Sequence, residues 1–351
     1  MKILVTGGCG FIGSAVVRHA IERTGHEILN VDKMTYAASR DALEQALDHP
    51  RHRLDVLDIN QAAKLAACFH DFQPEAVMHL AAESHVDRSI DGPAAFVATN
   101  VLGTFNLLEA ARDYFVNLPA AAKAAFRFHH VSTDEVFGAL EPGDKPFNES
   151  TAYDPRSPYS ATKAASDHLA RAWFHTYGLP VIVSNTTNNY GPWQFPEKLI
   201  PLTIINAIEE KPLPVYGAGE NMRDWLYVED HAAALMKVVE SGKPGETYCI
   251  GAKQPRKNID VVKMICAMID EKLPSPLGPR ERLISFVRDR PGHDFRYEID
   301  PAFAEANLEW TAAHDFERGL AATIDWYLGH RDWWQAIRAR TYQGERLGAA
   351  A

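Results

Sequence analysis

The chain has 351 residues, of which 46% are hydrophobic and 23% charged, with a formal charge of −10; this suits a globular protein with a full core in one large domain or two interleaved ones. The acidic balance argues against nucleic acid as a partner but leaves room for a small anion held by a few local cations. Cys9, Cys68, Cys249 and Cys266 lie too far apart for a zinc site or a disulfide framework, no apolar run reaches the roughly 18 residues of a membrane span, and the opening KILVTG reads as a strand rather than a signal peptide, so a cytoplasmic protein with no metal and no membrane partner is expected.

Along the first half, short β-rich runs alternate with helical ones. Strands are predicted at Lys2–Thr6, Glu27–Asp32, Arg53–Val56, Ala76–Leu80, Phe126–Ser132 and Val181–Asn185, and helices near 12–23, 40–48, 60–71, 94–114 and 158–177. That alternation predicts an α/β fold, a Rossmann-type doubly wound parallel sheet whose ligands gather at the carboxyl ends of the strands. Beyond residue 190, Pro192, Pro196, Pro201, Pro212 and Pro214 punctuate loops, with helices predicted at 199–210, 229–240, 258–271 and 316–328. The expected division is a dinucleotide-binding domain over 1–185, to which some later segments return, a smaller and partly helical substrate lobe over 186–335, and a tail over 336–351.

The first strand runs into Thr6-Gly7-Gly8-Cys9-Gly10-Phe11-Ile12-Gly13-Ser14, where Gly8-x-Gly10-x-x-Gly13 and Gly7-x-x-Gly10-x-x-Gly13 overlap. Glycines there allow a tight turn, close approach of backbone to a pyrophosphate and contact between helix and strand, while the helix N-terminus offers N–H donors. Asp32 ends the next strand, the place of an acid that bonds the ribose hydroxyls of NAD and repels the extra phosphate of NADP. Asp58-Ile59 follows the third strand and is a candidate for the adenine side; an Asp in a loop, taken alone, is more often a turn or a cap.

Ser132-Thr133-Asp134-Glu135 places two adjacent carboxylates at the end of a central strand. Removing a carbon-bound proton and expelling a hydroxyl needs one base and one acid, so such a pair fits an elimination; taken alone it reads equally as a solvated turn. Strand alternation would point the two apart unless the strand has already turned. Tyr159 and Lys163, the chain's only Tyr-x-x-x-Lys, share a helix face. A neighbouring ammonium favours phenolate, and lowering a tyrosine from about 10 toward 7 takes roughly 4 kcal/mol, which would make Tyr159 a base for a hydroxyl proton. An exposed Lys beside a packed Tyr is the plainer meaning of that spacing, outweighed here by the glycine loop and by Ser132-Thr133.

Together with His79-Leu80-Ala81-Ala82-Glu83-Ser84-His85, Asn100-Val101-Leu102-Gly103-Thr104, Asn188-Asn189-Tyr190-Gly191-Pro192, Pro196-Glu197-Lys198-Leu199, Arg223-Asp224-Trp225 and Asp289-Arg290-Pro291-Gly292-His293-Asp294, these residues resemble the extended short-chain dehydrogenase/reductase superfamily and, within it, the nucleotide-sugar 4,6-dehydratases. The resemblance runs from Met1 to about Trp334. It implies an NAD-dependent lyase acting on dTDP-glucose in deoxysugar (rhamnose) biosynthesis. It further implies that Gly7, Gly10, Phe11, Ile12, Gly13, Asp32, Lys33, Thr35, Asp58, Ile59, Leu80, Ala81, Ala82, Thr99, Tyr159, Lys163 and Asn189 hold NAD. Thr133, Asp134, Glu135, Tyr159 and Lys163 would carry the chemistry. Ser84, Thr133, Asn188, Lys198, Leu199, Pro214, Tyr216, Arg223, Asn258, Asp289, Arg290 and His293 would hold the substrate. A homodimer through a four-helix bundle of helices near 97–113 and 160–176 is implied as well.

The chain departs from the family pattern at Phe137, where Tyr is more usual, at Ala37-Ala38-Ser39, where a Gly-Asn turn is expected and cofactor exchange could be affected, and in the composition of Ser184-Asn185-Thr186-Thr187. UDP- or CDP-glucose dehydration and UDP-glucose 4-epimerisation are the rival activities; an epimerase has no use for an acid–base pair aimed at C5 and C6.

Overall fold

The computed structural model describes residues 1–289, 293–342 and 344. In chain order its strands are β1 (Lys2–Thr6), β2 (Glu27–Asp32), β3 (His52–Val56), β4 (Ala76–His79), β5 (Arg127–Thr133), β6 (Val181–Thr186) and β7 (Asn188–Tyr190). They continue with β8 (Leu213–Tyr216), β9 (Met222–Tyr227), β10 (Thr247–Ile250), β11 (Pro255–Lys257), β12 (Ile284–Val287) and β13 (Arg296–Tyr297). Seven of them form one parallel sheet in the order β3-β2-β1-β4-β5-β6-β10. Helices cover both faces, so β4 and β6 are buried at every position, which is why these runs are apolar rather than alternating. The order reverses direction between β1 and β4, and the crevice at that switch point is where a doubly wound sheet receives ligands.

Local signals set the elements that frame the crevice. The helix Pro158–Tyr177 begins where Pro158 fixes the first helical position and Ser157 and Ser160 cap each other's backbone, and it ends at Gly178 in a left-handed conformation (φ 68°). The run expected as one helix near 94–114 is in fact Pro93–Phe96, a π-helical segment Val97–Gly103, and Thr104–Val116. The widened turn carries Thr99 and Asn100, and Asn100 bonds both backbone groups of Glu83 and the Thr162 hydroxyl (2.9, 3.0 and 3.0 Å). By length and mean hydropathy alone this stretch, Pro93–Val116, would be long and apolar enough to cross a membrane, but half of its most apolar window is buried inside the protein, as in a core helix.

The chain after β6 builds smaller sheets, with β9 between β11 and β13 and also paired to β7, and β8 beside β12. Sequence periodicity gave no sign of these strands, nor of β10, each only two to six residues long. The helix Arg331–Arg340 also runs into the stretch expected as tail. All four cysteines are buried and unpaired.

Candidate active site

A cavity of about 780 Å³ opens along the carboxyl ends of β1, β4, β5 and β6 and is closed on its far side by residues from 195–216, 223 and 258. It is lined by all the expected site residues except Asp58, Asp134 and Asp289; Arg290 lies outside the described residues. Asp58 accepts from its own turn, at Asn60 N (2.8 Å), so it acts as a cap.

The glycine loop fits a dinucleotide for a steric reason. Gly7 has φ +74° and a Cβ there would lie 2.7 Å from Ala81 N; a Cβ on Gly13 would lie 2.0 Å from the Gly7 carbonyl. Side chains at either position would collide with the protein's own backbone, so only glycine lets the loop turn this tightly. The helix Phe11–Arg23 has no acidic residue in its first turn and no side-chain cap, leaving its leading N–H groups to an anion. At the end of β2, Asp32 is buried and accepts from Cys9 N (2.9 Å) and Met34 N (2.8 Å); burial raises its pKa and those two bonds oppose the rise. Its four lone-pair positions still leave room for ribose hydroxyls. Lys33 reaches across to Thr99 Oγ1 (3.2 Å) and Glu83 (3.6 Å).

At β5 the strand turns where the chemistry requires it. Thr133 closes the strand and caps a 3₁₀ turn over Asp134–Phe137, its hydroxyl accepting from Glu135 N (3.3 Å). Asp134 consequently points inward, 1% exposed, while Glu135 lines the cavity with Thr133, Tyr159 and Lys163. Burial pushes the Asp134 carboxyl well up, the charge of Glu135 adds to it, and Arg223 opposes; Oδ2 has no partner among the described residues. The two acids thus sit in different surroundings, one buried with its carboxyl pushed up, the other facing the cavity. Phe137 packs on Phe147 and Tyr153 at 5.2 Å each, an apolar seat in which a hydroxyl is not needed.

Tyr159 departs from expectation. Its phenol is pushed up, by burial first and by Glu135 second, with a hydrogen bond to Thr133 opposing. Lys163 Nζ donates to the Val131 carbonyl (2.9 Å); burial lowers its pKa and Asp167 opposes that. Burial and the Glu135 charge therefore favour the neutral phenol, against the direction that the spacing to Lys163 alone suggests.

On the far side, Lys198 Nζ donates to Ser84 O (3.1 Å) and Tyr216 OH to Asp87 Oδ2 (3.3 Å). Arg223 is not paired with its neighbour Asp224, which accepts from Gln254 N (2.7 Å) and Ala252 N (3.2 Å). Its guanidinium donates to the Asp294 carbonyl (2.9 Å) and lies 4.3 Å from the Tyr297 ring centroid. Asn188 and Asn258 line the cavity with their amide oxygens unpartnered among the described residues. His293 Nδ1 bonds Asp289 Oδ1 (2.6 Å) and stands edge-on to Tyr216 at 6.0 Å.

Sequence reading missed Asp167. Fully buried, it accepts from His130 Nε2 (3.0 Å), Ser132 Oγ (2.8 Å), Tyr153 OH (2.8 Å) and Asn185 Nδ2 (3.3 Å). Burial alone would raise its pKa, yet the net shift is downward because His130, Lys163 and Ser132 outweigh it. Asp167 therefore supplies a fixed negative charge behind Lys163. Its position four residues after Lys163, on the same helix face, was the available signal.

A family model described as GDP-mannose 4,6 dehydratase matches residues 4–323. The dTDP-glucose 4,6-dehydratase of Escherichia coli is 55% identical over 359 residues, covering 99% of each chain. That of Neisseria meningitidis serogroup B is 56% identical over 350 residues, again with 99% of each covered. Among solved structures, the dTDP-glucose 4,6-dehydratase of Streptomyces venezuelae with NAD and dTDP bound superposes with a TM-score of 0.87 at 39% identity, over 96% of this chain and 100% of that one.

Proposed function

The chain belongs to the GDP-mannose 4,6 dehydratase family, and from that premise we infer that it converts dTDP-glucose to dTDP-4-keto-6-deoxyglucose and water, as an NAD-dependent lyase of deoxysugar biosynthesis. The observation that carries the reading beyond the family is the pair Asp134 and Glu135 beside Tyr159, one acid buried with its carboxyl pushed up, the other facing the cavity.

Gly7, Gly10, Phe11, Ile12 and Gly13 hold the NAD pyrophosphate, Asp32, Lys33 and Thr35 its adenosine ribose, and Leu80, Ala81, Ala82, Thr99 and Asn189 line the rest of its path. Bound NAD takes up the hydride from C4, adds a positive charge to the site, and returns the hydride to C6. Tyr159 removes the proton of the C4 hydroxyl, with Thr133 hydrogen-bonded to the phenol and Lys163 one turn along the helix. Oxidation at C4 acidifies the C5 proton, which Glu135 removes. Asp134, whose carboxyl burial and the charge of Glu135 push up, protonates the departing C6 hydroxyl so that it leaves as water. Glu135 then gives the proton back to C5. Arg223, Asn188 and Arg290 serve the substrate pyrophosphate, Lys198, Leu199, Pro214, Tyr216 and Asn258 the nucleotide, and Ser84 the sugar, with Asp289 and His293 bordering the nucleotide end.

Residues 1–185 make the cofactor domain, to which the helix Val228–Ser241 and β10 return, and 186–335 the substrate lobe. The protein works as a cytoplasmic homodimer, in keeping with four buried unpaired thiols and with Val97 (52% exposed), Leu102 (51%), Phe105 (39%), Val116 (52%) and Tyr177 (45%) on the helices that would form a four-helix bundle.

Separate incubations with dTDP-glucose, UDP-glucose and CDP-glucose, followed by mass spectrometry and proton NMR of the sugar, test the reading. The dTDP sugar is expected to emerge one water lighter and fastest; an unchanged dTDP sugar beside epimerised UDP-glucose of equal mass would replace dehydration with epimerisation.

A further inference from the structure

The loop after β2, whose Ala37-Ala38-Ser39 departs from the family pattern, does not hang free. Tyr36 OH donates to Glu197 Oε1 (3.0 Å), and Arg88 Nε, from the helix Val86–Asp91, donates to Glu197 Oε2 (2.8 Å). The Arg88 guanidinium lies over the Tyr36 ring at 4.1 Å, and Phe195 meets the same ring edge-on at 5.2 Å. The Glu197 side chain is only 3% exposed and that of Arg88 30%. Three segments distant in sequence therefore converge on one buried carboxylate, with both oxygens engaged in charge-assisted or phenolic hydrogen bonds.

We propose that Tyr36, Glu197 and Arg88 are positioning residues that clasp the cavity shut around NAD and couple its retention to the nucleotide sugar. The inference rests on the cofactor reading above. Tyr36 and Glu197 both line the cavity. Tyr36 directly follows Lys33–Thr35, on the wall that carries Asp32; Glu197 directly precedes Lys198 and Leu199, on the opposite wall. Drawing those walls apart to release a dinucleotide breaks the bond between Tyr36 and Glu197. A nucleotide diphosphate seated against Lys198 and Leu199 fixes the Glu197 segment, and so keeps the partner of Tyr36 in place. Such coupling is reciprocal: the nucleotide slows NAD release to the extent that NAD tightens the nucleotide.

The test loads the full-length protein with NAD, removes unbound cofactor by gel filtration, and follows displacement by an excess of fluorescent etheno-NAD, with and without dTDP. Expected for the wild type is slow release, slowed further by dTDP. In Tyr36→Phe and in Glu197→Gln release should be about tenfold faster, the loss expected for one hydrogen bond to a carboxylate, and the dTDP effect should disappear. Tyr36→Phe deletes a single oxygen and keeps the measurement interpretable should Glu197→Gln fail to fold. Wild-type release rates in Tyr36→Phe, or an undiminished dTDP effect, would overturn the clasp. A wild-type protein that holds no NAD would instead overturn the cofactor reading.

Discussion

The wall of the cavity built by the parallel sheet and the wall built by the later segments hold their groups in contrasting ways. On the sheet side Tyr159 and Lys163 are at most 8% exposed, Asp134, which does not line the cavity, is 1% exposed, and Asp167 is fully buried with four donors. On the other side Arg223 is buried and held by backbone carbonyls, but the bonds of Lys198 and of the His293–Asp289 pair are exposed, and short strands and loops supply the frame. Groups that move protons gain from a fixed, water-poor setting in which their charges act at full strength. Groups that recognise a nucleotide need reach more than rigidity. Substitutions on the sheet wall should therefore lower kcat, and those on the lobe wall should raise KM.

The sharpest test of that division is Tyr159→Phe, which is expected to lower kcat by about 10³- to 10⁴-fold, within the range for a lost general base, with no absorbance transient at 340 nm on mixing with substrate. Wild-type turnover would remove Tyr159 from its role. Glu135→Gln should cost about 10²- to 10³-fold in product formation while still permitting the 340-nm transient, and exchange of the C5 proton with deuterated water, read by NMR, should vanish. Normal dehydration by that variant would mean that another base serves C5. Lys198→Ala, on the opposite wall, should raise KM about tenfold and leave kcat within about twofold; a fall in kcat at unchanged KM would break the division of labour between the walls.

The smallest effect concerns stability. His129 and His231 are fully buried, and burial lowers both to about 3 from an ordinary 6.5. The unfolded chain takes up these protons below pH 6.5 while the folded chain does not. Stability contributed by the two neutral rings is thus intact above about 6.5 and is lost as pH falls toward about 3, at roughly 1.4 kcal/mol per histidine per pH unit. Urea unfolding between pH 7 and 5 should show this slope, and it should be shallower in His129→Gln. An equal slope in that variant would mean that His129 is not buried neutral.

The same contrast explains what the sequence disclosed. Strands that alternate with helices, and capped helices, announce themselves by that alternation and by signals such as Ser157-Pro158 and Gly178, so the first six strands and the helix 158–177 were legible to within a residue or two. The lobe's strands are set by tertiary pairing around β9 and fall outside the alternation of strand with helix that marks the first half. Within the site, the glycine loop and Thr133-Asp134-Glu135 could be read because local geometry demands those residue types. The direction of the Tyr159 shift could not, since it depends on burial and on Glu135 rather than on the spacing to Lys163. Asp167 and the Tyr36–Glu197 bond likewise join residues whose proximity only the fold creates.

The central claim is a closed cycle in which one retained NAD is used and restored within each turnover. Its most direct test is mass spectrometry of dTDP-glucose deuterated at C4 after incubation with the purified protein and no added NAD. Expected is the loss of one water with the deuterium recovered at C6. Product whose deuterium has washed into solvent, or dehydration only when NAD is supplied in stoichiometric excess, would contradict it.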